Sequence, residues 1–200
     1  MSDPLVIIYT DGAASPNPGR GGYGAVILRE GTRRELSGGF RHTTNNRMEL
    51  LSVIVALQQL PEPRATVTVF SDSKYVVDNL NGGYAARWRR NHWRTTATKQ
   101  PAKNADLWQT LLELAERHQV TFTWVKSHAD NPENNRCDEL AVLARQARDL
   151  PGDAGFEELR SAPLPPALPS PPAPLTSPHP PPPAPLPPPP QQMELFGFMS

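Results

Sequence analysis

Short apolar runs and one-sided helical stripes divide the first 150 residues into strands and helices. Residues 5–10 (LVIIYT) are apolar and rich in β-branched side chains, the make-up of a buried strand. Residues 23–28 and 33–40 follow as two more strands, joined by Glu30-Gly31 as a hairpin turn. Met48, Leu51 and Val55 recur on one face between residues 46 and 60, predicting a helix that Pro61 stops. Residues 66–71 (TVTVFS) form a fourth strand. A helix begins at Ser73, with Ser71 or Asp72 placed to cap it, and runs through Leu80. Residues 106–118 are amphipathic, with Leu107, Leu111 and Leu114 on one side. Residues 121–125 are a fifth strand, and Pro132 opens a last helix carrying Leu140, Val142 and Leu143. The order βββαβααβα predicts an α/β fold, a five-stranded mixed sheet flanked by helices on both faces.

This patterning stops near Leu150. Of 25 prolines, 17 lie between Ser161 and Pro190, in a tract of little besides Pro, Ala, Leu and Ser. Such a tract buries too little apolar surface to fold and lacks backbone donors. The expected organisation is therefore a folded domain at 1–150, a disordered proline-rich linker at 151–190 and a terminal peptide at 191–200. As an extended spacer, the proline tract spans roughly 90 Å at about 3.1 Å per residue.

Charge follows the same division. Residues 1–150 hold 19 Lys/Arg against 16 Asp/Glu, and residues 151–200 hold one Arg against four acids, so a formal net charge of zero hides a basic domain. The single Cys137 excludes an internal disulfide framework and a thiolate zinc site. The N-terminal sequence MSDPLVIIYTDG has no signal-peptide pattern, and no apolar run approaches a membrane span. The expectation is a soluble, cytoplasmic monomer.

Two acids stand at the ends of apolar strands: Asp11 after the first and Asp72 after the fourth. If those strands are parallel neighbours, the two acids meet where sites collect in α/β sheets. Glu49 on the first long helix and Asp138 on the last can then approach from the flanks. Taken singly, Asp72 is equally a helix cap, Asp11 a turn residue, and Glu49 and Asp138 solvated charge. Clustered, the four would repel one another and need cations. Carboxylate ligands suit Mg²⁺, with Mn²⁺ able to substitute, and a pair of such ions about 3.5–4 Å apart can clamp a phosphodiester.

The strings YTDGAASPNPGRGGYGAVI, TTNNRMEL, FSDSKYV, KNADLWQ and HADNPENNRCDELA carry a resemblance across residues 5–149. In that order they resemble type 1 ribonuclease H of bacterial form. The resemblance implies the ribonuclease H fold. It also implies endonucleolytic hydrolysis of the RNA strand of RNA–DNA hybrids by two-metal-ion catalysis, leaving 5′-phosphate and 3′-hydroxyl ends. By motif, Asp11, Glu49, Asp72 and Asp138 would be the metal-binding and catalytic acids. His128 would assist proton transfer or product release. Gly12, Asn17, Asn45 and Asn46 would lie near the minor groove, where 2′-hydroxyls distinguish RNA from DNA. Asn46 is equally placed to cap its helix. Thr44 and Asn104 would hold a DNA-strand phosphate.

Residues 84–103 (YAARWRRNHWRTTATKQPAK) carry six Lys/Arg, no acid, and interleaved aromatics. Cations bind phosphates and aromatics pack on sugars or bases. The segment resembles the family's basic protrusion, so Trp88, Arg89 and Arg90 are expected to face DNA, with Trp93 packing inside. Four positions depart from the family pattern: His42 where Arg is common, with Arg41 adjacent; Lys74 where Gln is common; and Ser127 and Asp130 where Gly is usual. At the far end, QMELF resembles the peptide by which bacterial replication proteins bind the sliding clamp, with Gln192, Leu195 and Phe196 as anchors. A noncatalytic hybrid-binding module and another nuclease on the same fold, such as a resolvase or proofreading exonuclease, are the competing readings. The four acids argue against the first. The TTNNRMEL and basic segments argue against the second.

Overall fold

The computed structural model describes residues 5–60, 64–127 and 131–161. Contacts divide the chain into two units, Met1–Ala162 and Pro163–Ser200, and the second lies outside the described residues.

The first unit is built on five strands and six helices among the described residues. These are β1 (Leu5–Ser15), β2 (Gly19–Arg29), β3 (Thr32–Thr43), α1 (Asn45–Leu57), β4 (Thr66–Ser71), α2 (Lys74–Asn81), α3 (Tyr84–Arg90), α4 (Ala105–Ala115), β5 (Gln119–Trp124), α5 (Pro132–Arg145) and α6 (Ala154–Ser161). The sheet order is β3-β2-β1-β4-β5. β1 pairs antiparallel with β2 and parallel with β4, and β4 pairs parallel with β5. The expected mixed sheet is present.

Strand alternation sorts the core into two layers. Val6 and Ile8 of β1, with Ala25 and Ile27 of β2, join the large cluster that holds α1 and Trp108 and Leu111 of α4. Tyr9 of β1 and Val26 and Leu28 of β2 meet Cys137 and Leu140 of α5 in a smaller cluster. Helices therefore cover both faces.

Three features differ from the sequence expectation. β1 continues beyond Thr10 to Ser15, because the small residues Gly12–Ala14 pair with the glycine-rich start of β2. No apolar run marks that extension. α3 was not expected: Ala85 is its one buried residue among charged side chains, so there is no stripe to detect. α6 lies beyond the boundary expected at Leu150–Pro151. Its attachment is polar: Asp153, 3% exposed, accepts from Arg47 Nε at 2.7 Å and from Thr43 Oγ1 at 2.6 Å. Arg47, 2% exposed, also donates to Asp106 of α4 at 3.0 and 2.8 Å.

Candidate active site

β1 and β4 remain paired as far as Thr10 and Ser71. Asp11 and Asp72 are the next residues on each, so the expected meeting of the two acids occurs. Asp11 does not end its strand; it stays in the β1–β2 ladder opposite Gly24. The turn reading is thereby removed. Asp72 is not the cap of α2. Ser73 is, accepting from Val76 N–H at 3.2 Å.

Two close approaches deliver the other acids. A methyl group at Gly12 would lie 2.3 Å from the Met48 carbonyl carbon and 2.4 Å from the Glu49 nitrogen, so only glycine lets α1 cross β1 here. One at Gly24 would lie 2.2 Å from the Cys137 carbonyl oxygen, where α5 crosses β2. Gly24 pairs with Asp11, so the second crossing brings Asp138 toward the same place.

The electrostatics record this crowding. Asp11 is pushed up to about 7 by burial and then by Asp72, with Asp138 and Glu49 adding to it and the Gly12 N–H, 2.6 Å away, opposing it. Burial also raises Glu49; the Ser73 hydroxyl, which donates to its Oε2, lowers it, and Asp72 raises it. Among the described residues, no Lys or Arg forms an ion pair with any of the four acids. Nor, among those residues, do three His, Cys, Asp or Glu side chains close into a finished metal cage. The donor set, carboxylate only, fits a hard divalent cation, and the mutual repulsion at Asp11 is the charge such a cation would offset.

Asp72 is held from a second side. Ser127 donates to its Oδ2, and Trp124 Nε1 donates to its carbonyl at 3.0 Å. The ammonium of Lys74 sits 5.1 Å from the Trp124 ring centroid. Ser127 and Lys74, two of the departures, thus both touch the surroundings of one acid. His128 and Asp130 lie outside the described residues.

Around the acids, Thr44 caps α1 by accepting from Arg47 N–H at 3.4 Å, so Asn46 is not the cap. Asn45 Oδ1 accepts from Ala14 N–H at 2.6 Å, and Asn17 Oδ1 accepts from Asn45 N–H at 3.2 Å. Gly12 is buried under α1 rather than open to a groove. Asn17, Thr44, Asn46 and Asn104 line one pocket of about 530 Å³, together with Lys103 and Phe156. Asn104, nearly buried, donates to the Tyr75 hydroxyl at 3.2 Å. Sequence reasoning missed Phe156; the available signal was Asp153 standing where it can cap a short helix.

In the protrusion, Trp88 is half-buried, its ring 6.0 Å from that of core Trp108, and it lines a pocket with Tyr84 and Arg87. Trp93, expected to pack inside the protrusion, packs instead against the main core cluster. Arg89 is paired with Glu116, the C-terminal cap of α4, while Arg87, Arg90, Arg94, Lys99 and Lys103 are exposed. Arg41, adjacent to His42, is paired at 3.1 Å with Glu157 of α6.

A mixed sheet with acids gathered past the β1–β4 pairing, and with helices crossing at glycines, defines a ribonuclease H-like fold. The RNase H family profile matches residues 3–146, and the chain belongs to the ribonuclease H family. It is 55% identical over 152 residues to a ribonuclease H from Trichodesmium erythraeum, covering 76% of this chain and 96% of that one. It is likewise 55% identical to ribonuclease HI of Synechocystis, covering 76% of this chain and 94% of that one. Among solved structures, LC9-RNase H1, a type 1 enzyme with the type 2 active-site motif, matches with a TM-score of 0.65 at 29% identity, covering 80% of this chain and 82% of that one. LC11-RNase H1, solved in complex with an RNA/DNA hybrid, matches with a TM-score of 0.52 at 27% identity, covering 70% and 95%.

Proposed function

We propose that this enzyme hydrolyses the RNA strand of RNA–DNA hybrids, with Asp11, Glu49, Asp72 and Asp138 holding a pair of divalent ions, Mg²⁺ with Mn²⁺ able to substitute. The observation that carries the reading is the convergence of four carboxylates on Asp11, raised to about 7 by burial and by its neighbours. The bound ions would supply charge compensation for the phosphate and ease ionisation of an attacking water.

The chain's own residues do the rest. The sheet and the two glycine crossings fix the four carboxylates relative to one another. Ser73 and Ser127 orient Glu49 and Asp72 through their hydroxyl groups. In the reaction, a water oxygen bonds to phosphorus, and the bond from phosphorus to the 3′ oxygen breaks. The 3′ oxygen takes a proton, leaving 5′-phosphate and 3′-hydroxyl ends. His128 is assigned to that proton transfer or to product release.

Substrate selection is assigned to the amides beside the acids. The oxygen of the Asn45 amide is taken by Ala14 N–H, which leaves its NH₂ as the end that can donate to a 2′-hydroxyl. Asn17 and Asn46 complete that strand's surroundings. Thr44 and Asn104 hold a phosphate of the DNA strand, and Arg90 and its exposed basic neighbours track that strand's backbone. Among the described residues, no helix is long and apolar enough to cross a membrane. We assign the enzyme to the cytoplasm as a monomer. We also assign Gln192, Leu195 and Phe196, outside the described residues, to binding a bacterial sliding clamp.

The test uses Mg²⁺ and three labelled duplexes: hybrid, DNA and RNA. Cleavage confined to the RNA of the hybrid, and lost in Asp138→Asn, supports the reading. Equal cleavage of duplex RNA contradicts it.

A further inference from the structure

The pocket beside the first turn of α1 has one wall from outside the family match. Asn17, Thr44, Asn46, Lys103 and Asn104 supply amides, a hydroxyl and an ammonium. The remaining large side chain is Phe156, from α6, beyond the matched residues 3–146.

α6 is fixed to the substrate side of the fold at several points. Asp153 reaches down to Arg47 and Thr43, the residues that bracket Thr44, Asn45 and Asn46 in sequence. The same carboxylate accepts from Phe156 N–H at 3.3 Å, starting the helix. Arg41 N–H donates to the Pro151 carbonyl at 2.9 Å, and the Arg41 guanidinium meets Glu157 at 3.1 Å. The Phe156 ring rests against His42, centroid to centroid 5.2 Å. The pocket therefore has its cation at Lys103 and an aromatic wall at Phe156.

We propose that Phe156 is a specificity-determining residue that selects the deoxyribose–phosphate strand of the hybrid. This rests on the hybrid-nuclease reading given above. Lys103, Thr44 and Asn104 serve the phosphate oxygens of either strand type. The phenyl wall does not. Against it, the C2′ methylene of deoxyribose gains an apolar contact. A ribose 2′-hydroxyl pressed on the ring face loses water and gains no partner from that wall, which costs about tenfold in binding. α6 thus links a buried polar anchor, Asp153 with Arg47, to the choice of strand.

The experiment measures binding of labelled RNA–DNA hybrid and of duplex RNA of the same sequence to the full chain, by fluorescence anisotropy in EDTA so that nothing is cleaved. Wild type is expected to favour the hybrid. Phe156→Ala is expected to weaken hybrid binding about fivefold while leaving duplex RNA nearly unchanged, so that the preference shrinks. Phe156→Tyr, which keeps the ring and adds a hydroxyl able to pair with a 2′-hydroxyl, is expected to strengthen duplex RNA binding selectively. Melting curves establish that each variant is folded, and the tyrosine variant carries the test if the alanine variant is not. A wild type that favours the hybrid, with folded variants keeping its affinities and preference, overturns this inference alone. A wild type without any preference also overturns this inference, while the hybrid-nuclease reading fails separately, if duplex RNA is cleaved as readily as the hybrid in Mg²⁺.

Discussion

Asp11 concentrates the cost of building the site. Its carboxyl is held near 7, whereas an ordinary one titrates at 3.8, so the metal-free native state keeps a proton that the unfolded chain has already lost. With more protons bound in the native state over that range, metal-free stability falls as pH rises from about 4 to about 7. Asp11→Asn removes the repelled charge. It is expected to abolish cleavage yet raise the stability of the metal-free protein at pH 8 by on the order of 2 kcal/mol, measured by urea denaturation with EDTA. A variant that is less stable than wild type under those conditions would remove crowding as the explanation of the raised carboxyl. At this scale the sequence was informative in one respect and silent in another. The acids could be picked out because Asp11 and Asp72 follow apolar strands. Which neighbour caps each helix could not, because Ser71, Asp72 and Ser73 are all able to cap α2, as Thr44 and Asn46 are for α1. Backbone direction at the turn, which no local pattern encodes, decided for Ser73 and Thr44 and left the Asp72 carboxylate out of the cap, where Ser127 donates to it.

α6 and the basic protrusion are the elements whose roles depend most on packing. α6 is anchored by a buried ion pair, and breaking one side of it strands a charge in the interior. Asp153→Ala is therefore expected to cost about 3–5 kcal/mol in urea denaturation at pH 7. Burial works to raise Asp153, but the Arg47 and Thr43 hydrogen bonds outweigh it and hold the carboxyl below its usual 3.8. The stability this carboxylate contributes is present above that pH and lost as pH falls through its lowered value, so the gap between wild type and variant should close in acid. A gap that persists undiminished at acid pH would mean that the ion pair is not its source. In the protrusion, Arg90 is exposed while Arg89 is engaged by Glu116. Arg90→Gln is expected to lower the slope of log binding constant against log salt by about 1, and Arg89→Gln by less. Equal slopes for both variants would show that the Glu116 pair opens on binding. The protrusion's charge was legible in sequence, but its helix was not, since α3 has no apolar stripe. α6 was missed because what anchors it is one buried carboxylate with a partner more than a hundred residues away.

For the whole molecule, the five-stranded mixed sheet, both helical layers and the meeting of Asp11 with Asp72 followed from periodicity and motif. The extent of the folded unit did not. Its described part continues through α6 to Ser161, because docking of a polar segment depends on partners brought near only by the completed fold. Truncation after Ala162 is expected to leave cleavage of a short hybrid unchanged, whereas truncation after Leu150 removes Asp153 and Phe156 and is expected to lower both stability and hybrid affinity. Equal behaviour of the two truncations would deny α6 any part in the domain. The central claim is that four carboxylates gathered on one sheet make a cation-dependent nuclease for the RNA of a hybrid. Its most direct test is single-turnover cleavage of a hybrid whose RNA is labelled at both ends, with Mg²⁺ and with EDTA, using wild type and Asp11→Asn. The prediction is Mg²⁺-dependent internal cuts in the RNA, bearing 5′-phosphate and 3′-hydroxyl ends and absent from the variant. Cleavage that persists in EDTA or in Asp11→Asn, or RNA ends of the cyclic-phosphate type, would contradict it.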